Sequence, residues 1–463
     1  MPPFPQRIAY PLHRPVQFFL EQLPGACLWL CLLLATLMLG GLPVQADTST
    51  HSESAFTPAP GNLANDVLYY AIVDRFNDAD PRNNIPDYAF PKDPSLPQAE
   101  QAYNEMNRLL LRHSYDPTHR YMGLYWGGDL QGVIEKLDYL KDLGITKIVL
   151  SPIQDNANGI VYYPTANSYL HLEKQDGEEE EVDNIYAHAS SSFHGYWTKD
   201  WFEIDEHFRS PDSGEGRYRI FKDLLDRAGE RGIGVILDIT LNHTSPFPYY
   251  QHPTPFLEDS IGFWFVDNGS VYRHGRKVAT YWDPTTGELD PQEWFHPPLP
   301  IDFNRSTAEM QEKGSLPGGL PDLDQEVPAV ETYLLDAVNF WLTFNRDSHP
   351  IAGFRLDAVK HVNASFWRKL EDLVLSVDPN AVLIGEYFGG GYHNLDSINW
   401  LAKTRGYTQF NFDLSMAARR FFARSREWDG RAFMLREATL GRDGGVLQPS
   451  PLATFDPPNP RSG

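Results

Sequence analysis

Two hydrophobic rhythms alternate along this chain, and their alternation predicts its architecture. The run Asp66–Phe76 (DVLYYAIVDRF) is almost continuously apolar and reads as a first buried strand. Leu130, Val133, Ile134, Leu137 and Leu140 then keep helical spacing, Gly144 stops the helix, and Thr146–Ile153 is an apolar strand. The unit recurs three times. Phe221, Leu224, Leu225 and Ala228 lead through Gly232 into Gly234–Thr240. Val330, Leu334, Ala337, Val338 and Trp341 share one helical face before Ile351–Val359, and Phe366–Val377 precedes Ala381–Phe388. Further strands are expected at Thr408–Asp413 and Pro451–Phe455. Helices alternating with apolar strands predict an α/β fold, a parallel sheet covered by helices. The candidates fall one strand short of a closed (β/α)8 TIM-type barrel, and a doubly wound open sheet fits the same alternation.

Two stretches break the rhythm. Residues 154–215 contain the acidic run Glu178–Glu181, expected to be a solvated loop. Residues 244–325 are rich in Pro, Gly and aromatics without helical periodicity, which predicts a small subdomain inserted after the third strand. The barrel portions are then 66–243 and 326–463. Residues 47–65 are polar, with Pro and Ser, and read as a flexible leader. Ahead of them, residues 1–46 have the form of a signal peptide. Arg7 and Arg14 lie in its n-region, Ala26–Leu39 is apolar, and Val44-Gln45-Ala46 offers a small-residue cleavage site. The apolar run is shorter than the ~20 residues that span a bilayer. A mature start at Asp47, no stable membrane anchor, and a secreted or periplasmic location are therefore expected.

Composition narrows the partners. The 463 residues are 41% hydrophobic, ample for one barrel of about 250 residues with inserted loops. Sixty-two acidic residues against 39 basic ones give a formal charge of −23, which argues against nucleic-acid binding. The balance suits a neutral substrate and leaves carboxylates for hard cations such as calcium. Both cysteines, Cys27 and Cys31, fall inside the signal segment, so the mature chain has no disulfide or thiolate chemistry. A monomer is expected.

Chemistry gathers at three strand ends. DITLNH places Asp238, Asn242 and His243 at the end of one strand, GFRLDAVKH places Arg355, Asp357, Lys360 and His361 at the next, and IGEYF places Glu386 at a third. A lone carboxylate at a strand end is more often a cap or a salt bridge. On consecutive parallel strands, however, these groups converge on one face. Arg355 and Asp357 are two apart and share a side, so the guanidinium can hold the carboxylate ionised, as a nucleophile requires. Glu386 is then a candidate acid partner. Two carboxyls about 5–5.5 Å apart across a glycosidic bond would make a retaining glycosidase.

In order and spacing, DITLNH, GFRLDAVKH and GEYF resemble three signature regions of the α-amylase superfamily, glycoside hydrolase family 13. GGLPDLDQE (Gly318–Glu326) and FHGYW (Phe193–Trp197) resemble two more. The resemblance implies Asp357 as nucleophile, Glu386 as general acid/base, and Arg355 as the residue that positions the nucleophile. It implies His194, Tyr196 and His243 as sugar-binding, with Lys360 and His361 also lining the substrate site, and an α-glucan such as starch or a maltooligosaccharide as substrate. Asp238 supports the site. Calcium is implied twice, once by Asn242, Asp322 and the carbonyl of His361. The second site is implied by Asp78, Asp80, Asn83 and Asn84 of NDADPRNN with Gly127 and Asp129 of WGGDL, similar to cyclodextrin glucanotransferases and the amylases related to them. Cyclisation is not expected, because Gly318 stands where cyclodextrin-forming enzymes place a cleft aromatic. After PLATF the chain reads DPPNPRSG, without the family's F-x-D-N-H-D motif, and Asp456 takes no role. An incomplete barrel, short of its eighth strand and C-terminal β-domain, is therefore expected. The expected activity is an exported, calcium-dependent, retaining hydrolase of α-1,4-glucosidic bonds. The alternatives are a catalytically impaired fragment or glucan-binding protein, and a transglycosylase on linear glucans.

Overall fold

Each apolar run contributes a short strand, and together they form one sheet in strictly sequential order. The strands are β1 (Leu68–Ala71), β2 (Lys147–Leu150), β3 (Gly234–Ile239), β4 (Gly353–Leu356), β5 (Val382–Gly385), β6 (Tyr407–Phe410) and β7 (Val446–Leu447). The computed structural model describes residue 63, residues 65–415 and residues 446–447. Within them it omits 163–168, 174–178, 184–188, 212–213, 248–261, 266, 268, 284, 302–306, 317–319, 392–393 and 405–406. The signal segment, Gly318, Asp456 and the expected strand Pro451–Phe455 lie outside the described residues.

From β1 to β6 every neighbour pair is parallel. A doubly wound sheet reverses strand order at its switch point, and this one does not, so the barrel reading holds. The last pairing, β6 with β7, is antiparallel. Period-two alternation gives the sheet two apolar faces. Val149, Ile236, Val382 and Ile384 pack together with Leu68, Ala352 and Phe410 on one side. Ile148, Leu150, Val235, Leu237, Phe354, Leu356 and Leu383 join the larger core on the other.

Helices cover that larger core. The helix α1 (Arg219–Glu230) buries Ile220, Phe221, Leu224, Leu225 and Ala228. The helix α2 (Pro328–Thr343) begins on a proline and buries Leu334, Val338 and Trp341. In α3 (Ala364–Val377), Asn363 caps the first turn by accepting from the Phe366 N–H. Among the described residues no helix is long and apolar enough to cross a membrane.

Three local expectations change. The strand expected over Asp66–Phe76 ends at Ala71, and Val73–Phe76 forms a helical turn. That turn buries Asp74, whose carboxylate accepts the N–H groups of Trp126 and Gly127. The helix expected through Leu130–Leu140 is interrupted at Lys136, giving Leu130–Glu135 and Leu137–Asp142. The acidic run is not a loop: Glu179–Asp183 is a strand paired antiparallel with Tyr169–Glu173. Its partner YLHLE alternates apolar and polar residues, a pattern that favours a strand and recruits the acidic run as its mate.

The two interruptions fold together. Gln154–Asn156 and Thr198–Ile204 from the first share a sheet with Ser270–Arg273 and Arg276–Thr280 from the second. Lys199 lies between them, with Nζ 3.4 Å from Asp155 Oδ1 and 3.5 Å from Asp267 Oδ2.

Gly353 opens β4 at φ +142°, and a Cβ there would lie 2.0 Å from the Val382 carbonyl oxygen. Gly353→Ala is therefore expected to cost about 3 kcal/mol or more, measured as a lower urea midpoint at unchanged m.

Candidate active site

The register of the sheet brings one guanidinium to three carboxyl groups. Arg355 on β4 sits opposite Asp238 on β3 and Ile384 on β5. Its Nη1 lies 2.8 Å from Asp238 Oδ1 and 2.8 Å from Asp357 Oδ1, while Nη2 lies 2.7 Å from Glu386 Oε2. The ladder continues just far enough to hold both candidate reactants. Asp357 N donates to the Ile239 carbonyl at 3.1 Å, and Glu386 N donates to the Leu356 carbonyl at 2.8 Å. Beyond Asp357 the backbone turns sharply through Ala358 at φ +52°.

Asp238 is fully buried, and burial raises its pKa against the pull of Arg355. Burial likewise pushes Glu386 up to about 7, with Arg355 opposing the rise and Asp357 adding to it. Glu386 and Asp357 share one guanidinium, through Arg355 Nη2 and Nη1 respectively.

The loop carrying His194 and Tyr196 forms one wall. Tyr196 N donates to His194 Nδ1 at 3.0 Å, so the imidazole carries its proton on Nε2. Burial holds this histidine down to about 3, hence neutral at working pH. Its ring stacks at 5.5 Å on Tyr196, whose hydroxyl donates to Asp238 Oδ2 at 2.8 Å. His243, expected to bind sugar, is buried beside this loop. Its Nε2 meets the Tyr196 carbonyl at 3.0 Å and its Nδ1 the Asn242 amide at 3.3 Å, so both ring nitrogens have protein partners. Lys360 and His361 occupy the turn after Asp357. Lys360 Nζ reaches the Phe388 carbonyl at 3.5 Å, and His361 Nδ1 the Gln311 carbonyl at 2.8 Å.

Each set of expected metal ligands includes buried oxygens without hydrogen-bond partners. Asn242 Oδ1 and Asp322 Oδ1 are orphaned where the inserted subdomain meets the sheet, and the other oxygen of Asp322 accepts from His296 Nδ1 at 2.6 Å. Asn83 Oδ1 and Asn84 Oδ1 are orphaned beside Gly127, where a Cβ would lie 2.5 Å from Asn84 Oδ1. In that second group Asp78 bonds Asn84 at 2.8 Å. Two carboxylates there are already engaged. Asp80 chelates Arg82 at 2.6 Å through each oxygen, and Asp129 accepts the N–H groups of Ala79, Asp80 and Gly132. Unpartnered buried amide and carboxylate oxygens suit a hard cation.

Tyr70 was missed by sequence reasoning. It reads as one more residue of an apolar strand, yet its hydroxyl donates to Asp238 Oδ2 at 2.6 Å. The signal was its register. Tyr70 pairs with Val149, Val149 with Ile236, and Asp238 lies two beyond Ile236 on the same face.

The sheet is sequential, and its strand ends bring two carboxyls to one arginine. The family model for the alpha amylase catalytic domain matches residues 71–440, and the chain belongs to that family, glycoside hydrolase family 13. A cyclomaltodextrin glucanotransferase of Thermoanaerobacterium thermosulfurigenes is 29% identical over 398 residues, 85% of this chain and 44% of that protein. One from Bacillus sp. (strain 1011) is 28% identical over 432 residues, 92% of this chain and 47% of that protein. The chain thus spans about half the length of these relatives. Among solved structures, a cyclomaltodextrin glucanotransferase with a three-domain ABC distribution superposes with TM-score 0.58 at 28% identity, covering 82% of this chain and 62% of that one. An Anoxybacillus alpha-amylase gives TM-score 0.50 at 28% identity, covering 81% and 58%.

Arg355→Leu would leave buried carboxylates without a counter-ion. A cost of about 3–5 kcal/mol near pH 7 is expected. Part of it should return as pH falls, because Asp238, with its raised folded pKa, then binds a proton more readily in the folded state. Urea titrations at pH 5 and pH 7.5 measure both effects.

Proposed function

We propose that this chain is an α-amylase-type retaining hydrolase of α-1,4-glucosidic bonds in starch-like glucans, with Asp357 as nucleophile and Glu386 as general acid/base. The observation that carries this reading is the Arg355 guanidinium bridging Asp357 and Glu386. Arg355 donates to Asp357 Oδ1 at 2.8 Å and orients it toward an anomeric carbon. Glu386, kept protonated near neutrality by burial, gives its proton to the leaving glycosidic oxygen as Asp357 attacks. The glycosyl-enzyme is released when the Glu386 carboxylate takes a proton from water, whose oxygen then attacks the anomeric carbon. Tyr196 offers its ring as a stacking face, and the Nε2–H of His194 is poised to donate to a sugar hydroxyl.

Calcium fits two places. One is Asn242, Asp322 and the His361 carbonyl; the other is Asp78, Asn83, Asn84, Gly127 and Asp129 with the backbone of Asp80. When bound, calcium would supply structural cross-linking, fastening the inserted subdomain over the cleft and the segment after β1 onto its neighbour. Export after cleavage near Ala46 would bring the enzyme to polymeric substrate outside the cytoplasm.

A second reading is transfer to a sugar acceptor instead of water. It is favoured by the glucanotransferase relatives and by Phe388, 66% exposed just beyond Glu386 with Lys360 Nζ 5.6 Å from its ring centre. Products formed with excess maltose separate the two, since transfer lengthens chains while hydrolysis only shortens them.

Reducing-sugar release from soluble starch by the full chain is expected, and should be abolished in Asp357→Asn. Chelation should lower the melting temperature. Calcium restored at about 100 times its dissociation constant should return about 2.7 kcal/mol of stability. Starch turnover that survives Asp357→Asn would sink the assignment.

The raised pKa of Glu386 has its own signature. Because the acid form is needed for the first step, kcat/KM should hold up to about pH 7 and decline above it. Glu386→Gln should lose roughly 10²–10⁴-fold on starch, but much less on α-maltosyl fluoride, whose leaving group needs no proton.

A further inference from the structure

Tyr70 stands out because its ring and its hydroxyl have opposite surroundings. The residue is 38% exposed. Its hydroxyl nevertheless makes two of the shortest contacts at the site, 2.6 Å to Asp238 Oδ2 and 2.6 Å to the hydroxyl of Tyr196. Tyr196 donates to the same Asp238 oxygen at 2.8 Å. Arg355 Nη1 approaches both oxygens of Asp238, at 2.8 and 3.0 Å, and the Tyr196 hydroxyl at 3.4 Å. Burial keeps the Tyr70 phenol protonated, so it remains a donor.

We propose that Tyr70 is a positioning residue, whose phenol sets through Asp238 how the Arg355 guanidinium is divided between Asp238 and the nucleophile Asp357. The inference rests on Asp357 and Glu386 being the reacting carboxyls. A single Arg355 nitrogen, Nη1, serves both aspartates, and Asp238 is the more deeply buried of the two. A buried carboxylate draws hardest on whatever donors remain to it. Two phenols on Asp238 Oδ2 spread its charge and leave part of Nη1 for Asp357. With the Tyr70 hydroxyl removed, Asp238 keeps only Tyr196 and Arg355, and the guanidinium moves toward it. Asp357 then loses the donor that orients it. The loss falls on the chemical step, because the Tyr70 hydroxyl is spent on protein groups and not on the sugar.

The test uses the full chain with α-maltosyl fluoride, followed by fluoride release, and with soluble starch. Tyr70→Phe is expected to lower kcat about tenfold or more on both substrates, since a hydrogen bond to a charged group is lost. KM should stay within about twofold and the melting temperature should not change, the pattern of an interaction that acts on the transition state. Asp238→Asn should also lower kcat, and adding Tyr70→Phe to it should cost nothing further, because the charge through which the phenol acts is gone. Wild-type kcat in Tyr70→Phe, a loss confined to KM, or full additivity with Asp238→Asn would each overturn the role of Tyr70 alone. A wild-type chain releasing no fluoride would overturn the assignment of the reacting carboxyls, and the role of Tyr70 with it.

Discussion

One buried cation organises this protein. Arg355 meets Asp238, Asp357 and Glu386 within 2.8 Å, and a guanidinium cannot shed its charge to relieve crowding. The charge balance around it decides chemistry. One positive group serves three carboxyls, and burial raises both Asp238 and Glu386 against its pull, Glu386 to about 7. On the proposed assignment, acid and nucleophile draw on the same arginine, Glu386 through Nη2 and Asp357 through Nη1.

The rest of the fold keeps that arginine where it is. Parallel register puts Arg355 directly opposite Asp238, and the next ladder bonds carry Asp357 and Glu386 to the same rim. The glycine opening β4 lets that strand lie against β5 closely enough for the register to hold. On the outer side, Trp201, Trp341 and Trp367 fill the space between sheet, helices and insertions as fully buried rings. Such a core resists the small shifts that would redistribute hydrogen bonds of under 3 Å.

Much of this was legible in the sequence, for identifiable reasons. Strand positions could be read because a sheet buried on both faces needs continuous apolar runs such as KIVL and GVILDI. The site could be read where polar residues interrupt those runs at their ends, as with Asp238, Asp357 and Glu386. Tyr70 escaped because tyrosine is at home in an apolar strand, and nothing local distinguishes a packed ring from one whose hydroxyl serves a distant aspartate. The pairing of Glu179–Asp183 escaped because strand formation there depends on a partner, not on the run's own composition. The protein partners of both His243 nitrogens escaped because they come from Asn242 and from a loop 47 positions earlier. Contacts between remote segments are what single-chain patterns carry least.

The shared sheet of the two insertions has a consequence for how the molecule is made. Thr198–Ile204 and its neighbour Gln154–Asn156 are laid down early in synthesis, but Ser270–Arg273 on its other edge, and Arg276–Thr280 beyond that, are not yet translated. At about 5–20 residues per second, several seconds pass before they leave the ribosome. The rim of the cleft therefore cannot mature in step with the first strands of the sheet. Through that interval the nascent chain carries an unpaired strand edge with Lys199 beside Asp155 alone, and a charged lysine on such an edge disfavours pairing with another chain.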